Sequence, residues 1–417
     1  MNNLVIKFGG TSVMDPVRIK NVAAIIDAVR TSGAQVVVVV SAMGHTTDQL
    51  FHLAAQVSDS PDPRELDMLV STGEQVAAAL LALALQDRGI QAQSFTGGLA
   101  GVVTDGQFGQ AKIKHVHCES LENCLALGIV PVVAGYQGLS QGGQITTLGR
   151  GGSDTTAIAL AASLHADRCD IYSDVDGVYS ADPRLLCEAY RLSAISYAEM
   201  HELSLNGAQI LNARSVEIAM RRRVPVRVRS TFKPLDEGTL VTADARQETT
   251  FTGLACTFDQ DYVRVCFPVP LSSDTNLRAI RHKRLLWKKV IVERLSEAGL
   301  HVEVGTALKS TVNELHFCVG HADVPAVLQA MSGVSLEGEF STPQIDVHSR
   351  LSKISIVGRE IGSSVEIDAI RALTKSGLHI FLMTSSEHRL SLFVPADCRD
   401  VALKVLHQCF AGQKRAA

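Results

Sequence analysis

The chain has 417 residues, 46% of them hydrophobic and 20% charged, with a formal net charge of −4. That length exceeds one ordinary domain, and the composition supports a large core and excludes wholesale disorder. The mild acidity argues against nucleic-acid or anionic-membrane partners, and the nine cysteines, scattered with no Cys-x-x-Cys pair, read as reduced thiols of a cytoplasmic protein.

In chain order, the first strand is Leu4–Phe8, with no basic, apolar leader before it, so no signal peptide is expected. It runs into Lys7-Phe8-Gly9-Gly10-Thr11-Ser12. Paired glycines let backbone N–H groups approach phosphate oxygens, and a lysine beside them supplies charge for a phosphoryl group. The competing reading is a plain turn; a Walker A loop is absent. The five consecutive valines Val36–Val40 predict a strand buried on both faces, followed by Ser41-Ala-Met-Gly44-His-Thr-Thr47. Ser71-Thr72-Gly73-Glu74 starts an Ala- and Leu-rich helix, Gln75–Gln86, where Glu74 either favours the helix dipole or holds an ammonium. No uninterrupted apolar run reaches about 18 residues, so no membrane span is expected. His115-x-His117-Cys118 has the residue types of a metal site, but on an expected helix that spacing splays the ligands.

Val130–Ala134 reads as another buried strand. Thr147-Leu-Gly-Arg150-Gly-Gly-Ser153-Asp154-Thr-Thr156 then opens the helix Thr155–Leu164. Glycines before a helix N-terminus make an anion site, and Arg150 can grip a carboxylate or phosphate through two parallel hydrogen bonds. Asp154 reads either as an N-cap or as a carboxylate that orients a substrate amine or Mg²⁺. The strand Cys169–Tyr172 leads to Ser173-Asp174-Val-Asp176-Gly177-Val-Tyr179-Ser-Ala-Asp182-Pro-Arg184. That loop fits a nucleotide site, with Tyr179 against a base and Arg184 on a phosphate; its spacing excludes an EF-hand. Arg221–Arg223 suits a helix C-terminus better than nucleic acid. The alternation of strands and helices predicts a mainly parallel sheet with helices on both faces and ligands at the carboxyl ends of its strands.

After Val241 the pattern weakens, and Thr242–Thr250 reads as a linker. Beyond it Leu295-Ser-Glu-Ala-Gly-Leu-His-Val302 is echoed by Leu373-Thr-Lys-Ser-Gly-Leu-His-Ile380, each followed by an alternating strand, Glu314–Val319 and Arg389–Val394. Two similar small α+β units are the economical reading. The lone Trp287 is expected to serve packing.

These motifs, in this order, resemble the aspartate kinases. The resemblance rests on Ile6–Val13, Val39–Gly44, Ser71–Glu74, Thr146–Thr156 and Ile171–Arg184, dense to about residue 240 and weaker beyond. It implies a three-layer αβα amino-acid-kinase fold with an eight-stranded, mostly parallel sheet over residues 1–245. Two ACT-like units would follow, at 250–335 and 345–412, the first inserted within the second. It implies ATP-dependent phosphorylation of the L-aspartate side chain, the first step towards lysine, threonine and methionine, with Mg²⁺. Lys7 and Asp154 would be catalytic. Ser41, Thr47, Glu74, Arg150 and Ser153 would hold aspartate, while Lys7, Gly9, Gly10, Ser173, Asp174, Tyr179, Arg184 and Lys233 would bind ATP. A carboxylate acceptor is already ionised at neutral pH, which agrees with the absence of an evident catalytic histidine. The ACT-like units imply a homo-oligomer.

Departures from the family pattern are also visible. Thr96–Gly101 stands where Gly-Trp-Gln-Ala-Gly is usual, and Leu211-Asn212-Ala213-Arg214 where Leu-His-Pro-Arg is usual. Neither small unit has the Asp-x-Pro-Gly type of turn: they read Val269–Asn276 and Val357–Ser364, and His301 and His379 replace an asparagine. Feedback regulation is therefore expected to be weak or altered.

Overall fold

The computed structural model describes residues 3–245, 250–266, 277–300, 302–307, 314–332 and 343–411. They form two compact units: Met1–Tyr179, Arg191–Ser204 and Gln209–Gln247 in the first, and Ser180–Tyr190, Leu205–Ala208 and Glu248–Ala417 in the second. The segments 180–190 and 205–208 thus group with the second unit although they lie inside 1–245.

The first unit is built on an eight-stranded sheet. Its strands are β1 (Asn3–Phe8), β2 (Gln35–Val40), β3 (Ala92–Phe95), β4 (Val130–Ala134), β5 (Arg168–Ser173), β6 (Ala194–Ile195), β7 (Val226–Ser230) and β8 (Thr239–Val241). The order is β6-β8-β7-β5-β1-β2-β4-β3, and every described neighbour pair is parallel except β7 with β8. Strand alternation splits the core. Ile6, Phe8, Val36, Val38, Val40 and Val132 share one cluster with the helices α1 (Pro16–Thr31) and α2 (Thr72–Asp87). Val5, Val37, Val39 and Val133 point to the other face, where α3 (Gly152–Ser163) packs, and are equally buried. Each such valine contributes roughly 1.5–3 kcal/mol relative to exposure. This two-sided burial explains the valine run.

One helical stretch, Pro63–Asp87, is long and apolar enough to span a membrane by length and composition alone. It is two helices broken at Ser71, and α2 lays Ala77, Ala78, Leu81 and Leu85 on the sheet. His115 lies on a strand, Ile113–Val116, and Cys118 caps the helix Glu119–Ala126, which corrects the expected helical placement of that cluster. The strand Ile113–Val116 belongs to a small four-stranded sheet whose edge, Ile145–Thr147, feeds the glycine loop before α3.

The second unit holds a six-stranded sheet of β9 (Phe251–Cys266), β10 (Glu303–Val304), β11 (Glu314–Gly320), β12 (Gln344–Gly358), β13 (Leu382–Ser386) and β14 (Arg389–Pro395), in the order β10-β11-β9-β12-β14-β13. β9 and β12 pair along their whole length; residues 260–266 of β9 also pair with β11, and residues 351–357 of β12 with β14. Helices α4 (Leu277–Glu297) and α5 (Val324–Met331) cover one half through Trp287, Ile291, Leu295 and Val327. Helices α6 (Ser363–Lys375) and α7 (Arg399–Ala411) cover the other through Ala369, Leu373, Ala402 and Leu406. The two copies of the repeated segment fold alike. Gly299 and Gly377 both sit at φ 71°, and Leu300 and Leu378 each donate back five residues, to Leu295 and Leu373. Val269–Asn276 and His301 lie outside the described residues.

Candidate active site

The carboxyl ends of β1, β2, β4 and β5 converge, as the parallel arrangement requires. After β1, Gly10 approaches the segment after β2 so closely that a Cβ there would meet Ala42 O at 2.8 Å; Gly44 N donates to Gly10 O at 3.0 Å. Gly9 N donates to Tyr172 O at 3.0 Å, tying this turn to β5. The glycine pair is therefore a close-packed crossing of two loops. Lys7, nearly buried, points to α3 and pairs with Asp154, Nζ to Oδ1 2.6 Å.

Asp154 is not the N-cap of its helix. Gly151, at φ 70°, holds that place, and Asp154 lies in the first turn, free to meet Lys7. A buried pair of this kind is strongly destabilised by loss of one partner. Ser153 is buried against Gly135, where a Cβ would come within 2.8 Å of the serine's own. Arg150 is exposed in the loop before.

Glu74, in the first turn of α2, is 3% exposed. Its Oε1 accepts from Ala42 N at 3.1 Å, while its Oε2 has no hydrogen-bond partner among the described residues. Burial pushes its carboxyl up to about 7 against the pull of the backbone N–H groups. A buried carboxyl with one open oxygen is prepared for a cation. Tyr136, a non-glycine residue at φ 70°, lies between Glu74 and Arg150 electrostatically. Burial raises its hydroxyl; the Thr147 side chain opposes this, Glu74 and Asp67 add to it, and Arg150 opposes it. Ser41 and Thr47 are half-buried on either side of the Ala42–Gly44 turn.

The loop after β5 organises around Asp176. Its carboxylate accepts from Tyr179 Oη at 2.8 Å and Lys233 Nζ at 2.7 Å, and Arg191 Nη1 lies 3.8 Å away. Burial alone would raise Asp176, but Lys233 and Tyr179 hold it below the usual carboxylate range. Tyr179 and Lys233 are thus brought together by an acid that the sequence displayed but left without a role. Ser173 Oγ accepts from Val175 N at 3.3 Å, and Asp174 is exposed. Arg184 falls in the segment that groups with the second unit, its guanidinium closed on Asp182 with Nη2–Oδ2 2.7 Å.

Two further groups were missed. Asp67, 2% exposed, accepts from Gly109 N, Thr147 N and Thr147 Oγ1, so it holds the start of the glycine loop. Its one signal is an acid inside the apolar run Leu66–Val70. Gln137 Nε2 donates to Ser71 O at 2.7 Å and supports the turn that carries Glu74.

The arrangement offers a lysine and an arginine to anions, and a carboxyl to a cation. Comparison with known proteins gives the family. The amino acid kinase family pattern matches residues 2–230. The aspartokinase of Geobacillus stearothermophilus is 39% identical over 424 residues, covering 100% of this chain and 99% of that protein. The aspartokinase of Corynebacterium glutamicum is 38% identical, over 97% of this chain and 95% of that one. Among solved structures, E. coli aspartokinase III in complex with aspartate and ADP shares the fold, with TM-score 0.77 at 24% identity over 98% of this chain and 99% of that one. The chain belongs to the amino acid kinase family, among the aspartokinases that carry ACT-like C-terminal domains.

Proposed function

We propose that the chain transfers the γ-phosphoryl group of ATP to the side-chain carboxylate of L-aspartate, giving 4-phospho-L-aspartate and ADP. The observation that carries this reading is the buried Lys7–Asp154 pair at the meeting of the Gly9–Gly10 turn and the N-terminus of α3. Attacking carboxylate and phosphate are both anionic, so catalysis amounts to offsetting their repulsion. In this reading Lys7 meets the transferring phosphoryl group, and the open oxygen of Glu74 receives the substrate ammonium. Arg150 and Ser153, with Ser41 and Thr47, hold the carboxylates. ATP enters as its magnesium complex. Among the described residues no three His, Cys, Asp or Glu side chains cluster as a metal cage. Magnesium needs only one or two carboxylates beside the phosphates, which Asp154 fits. The nucleotide lies along Ser173, Asp174, Tyr179 and Lys233.

Hydroxylamine trapping of the acyl phosphate tests this. L-Aspartate should react and L-glutamate poorly, since one extra methylene misplaces the acceptor carboxylate. Preference for glutamate or N-acetylglutamate would make the chain a sister kinase, and no turnover would leave a binding protein.

We also infer that feedback by lysine or threonine is weak or altered. In the turn after β12, the N–H groups of Gly358, Arg359 and Ile361 donate to His388, Thr250 and Glu387 carbonyls, so they are not offered to an amino-acid head. The second unit has a cavity of about 340 Å³ lined by Tyr262, Arg264, His348, His379 and Phe381 among others, with no carboxylate among the described lining residues to receive a lysine ammonium. The ACT-like halves then serve as a dimerisation scaffold, and light scattering should show a dimer or larger.

A further inference from the structure

Two carbonyls of the Leu148–Gly151 loop are gripped from one short segment. Asn212 Nδ2 donates to Arg150 O at 3.1 Å, and Arg214 Nη1 donates to Leu148 O at 3.2 Å. A trans peptide plane sets its N–H opposite its C=O, and there is no cis peptide bond among the described residues. Holding these carbonyls towards Asn212 and Arg214 therefore turns the N–H groups of Gly149 and Gly151 away from them. Neither N–H has an acceptor among the described residues. Both glycines are left-handed, at φ 75° and 70°, a conformation in which such N–H groups form a concave anion site.

The gripping residues are themselves fixed. Asn212 Oδ1 accepts from Arg214 N at 3.0 Å and caps the helix Ala213–Arg222, so both ends of the amide are used. Arg214 Nη2 is anchored on Ala111 O at 2.8 Å. A Cβ on Gly151 would lie 2.3 Å from the Cβ of Asn212, so the asparagine is seated directly against the loop.

We infer that Asn212 and Arg214 are positioning residues for phosphoryl transfer. They set the two peptide planes so that the Gly149 and Gly151 N–H groups face the anionic reactants. This rests on the reading of the Arg150 loop as the anion site. The role needs a donor and an acceptor on one side chain, which asparagine supplies.

The test compares Asn212→Asp, Asn212→His and Arg150→Ala with the wild type in the hydroxamate assay, with thermal melts of each. Asp caps a helix as well as Asn but cannot donate to the Arg150 carbonyl. Asn212→Asp should lower kcat about tenfold or more, as a misdirected oxyanion donor does. Its melting temperature should stay within about 2 °C of wild type, because the cap survives. Asn212→His, whose imidazole N–H can still donate, should keep kcat within about threefold of wild type. The inference is overturned if Asn212→Asp turns over normally, if its melting temperature collapses along with its activity, or if Asn212→His is as slow as Asn212→Asp. Wild-type kcat in Asn212→Asp beside an inactive Arg150→Ala would remove this inference and leave the proposed function standing. An inactive wild type would instead remove the proposed function.

Discussion

At the scale of single residues, the Lys7–Asp154 pair makes activity and stability separable. Lys7→Ala removes the proposed phosphoryl contact and leaves the buried Asp154 carboxylate without its Lys7 partner. Turnover should fall by roughly two to three orders of magnitude, and unfolding free energy by about 3–5 kcal/mol. Adding Asp154→Asn should restore much of the stability and none of the activity; denaturant melts beside the hydroxamate assay check both. Glu74 gives a pH signature. Its folded carboxyl is raised to about 7 from an ordinary 4.5, so the native state keeps a proton that the unfolded chain has lost. Glu74 therefore costs stability progressively as pH rises from the unfolded value through the folded one. Glu74→Gln escapes that cost, so its melting temperature should gain on wild type between about pH 4.5 and 7 and hold the gain above. Aspartate binding should release a proton near neutral pH, read as a buffer-dependent heat in calorimetry, and Glu74→Gln should abolish the release while raising the KM for aspartate far more than that for ATP. The motifs that carry Lys7, Glu74 and Asp154 were legible because each is contiguous in the sequence. Asp67 was not, since its hydroxyl partner Thr147 lies 80 residues away and only folding brings the two together.

Among the elements, those with a strong local signal were readable and those defined by a partner were not. Val36–Val40 is a strand by composition, and α2 and α3 were placed within three residues of their observed starts. The early start of α3 comes from Gly151 and Gly152, residues that helix propensity disfavours but that the close approach to Asn212 and Tyr136 requires. The helix ends at Gly299 and Gly377 were visible as glycines in both copies of the repeat. A Cβ at either would meet nothing within 4 Å, so the cost of alanine there is conformational. Gly299→Ala and Gly377→Ala should each lose about 1 kcal/mol in chemical denaturation with kcat unchanged. The strand β9 is where the sequence was least informative. Both halves pair with β12 but only residues 260–266 also pair with β11, the two joined through an irregular register near Thr257–Tyr262, and no periodicity marks such a junction.

For the molecule as a whole, titrating lysine, threonine, methionine and their pairs into the kinase assay should give little inhibition at sub-millimolar concentration. Strong inhibition by lysine or threonine there would overturn the reading of weak or altered feedback. The second unit also behaves as something other than two beads on a string. β9 and β12 each run through both copies, so the same two strands carry the pairing of one half at Val263–Val347 and of the other at Leu254–Ile356. The first half takes its strands from residues 260–266, 303–304, 314–320 and 344–350, which interrupt the 251–257 and 351–395 strands of the second, so severing the chain at one point frees neither. Opening should then be all-or-none: amide protons on Val263 and Val265, in one half, should exchange with the same free energy as those on Leu254 and Ile354 in the other, and a truncation after Met331 should leave neither half folded. On this expectation the duplicated segment unfolds as a single cooperative body.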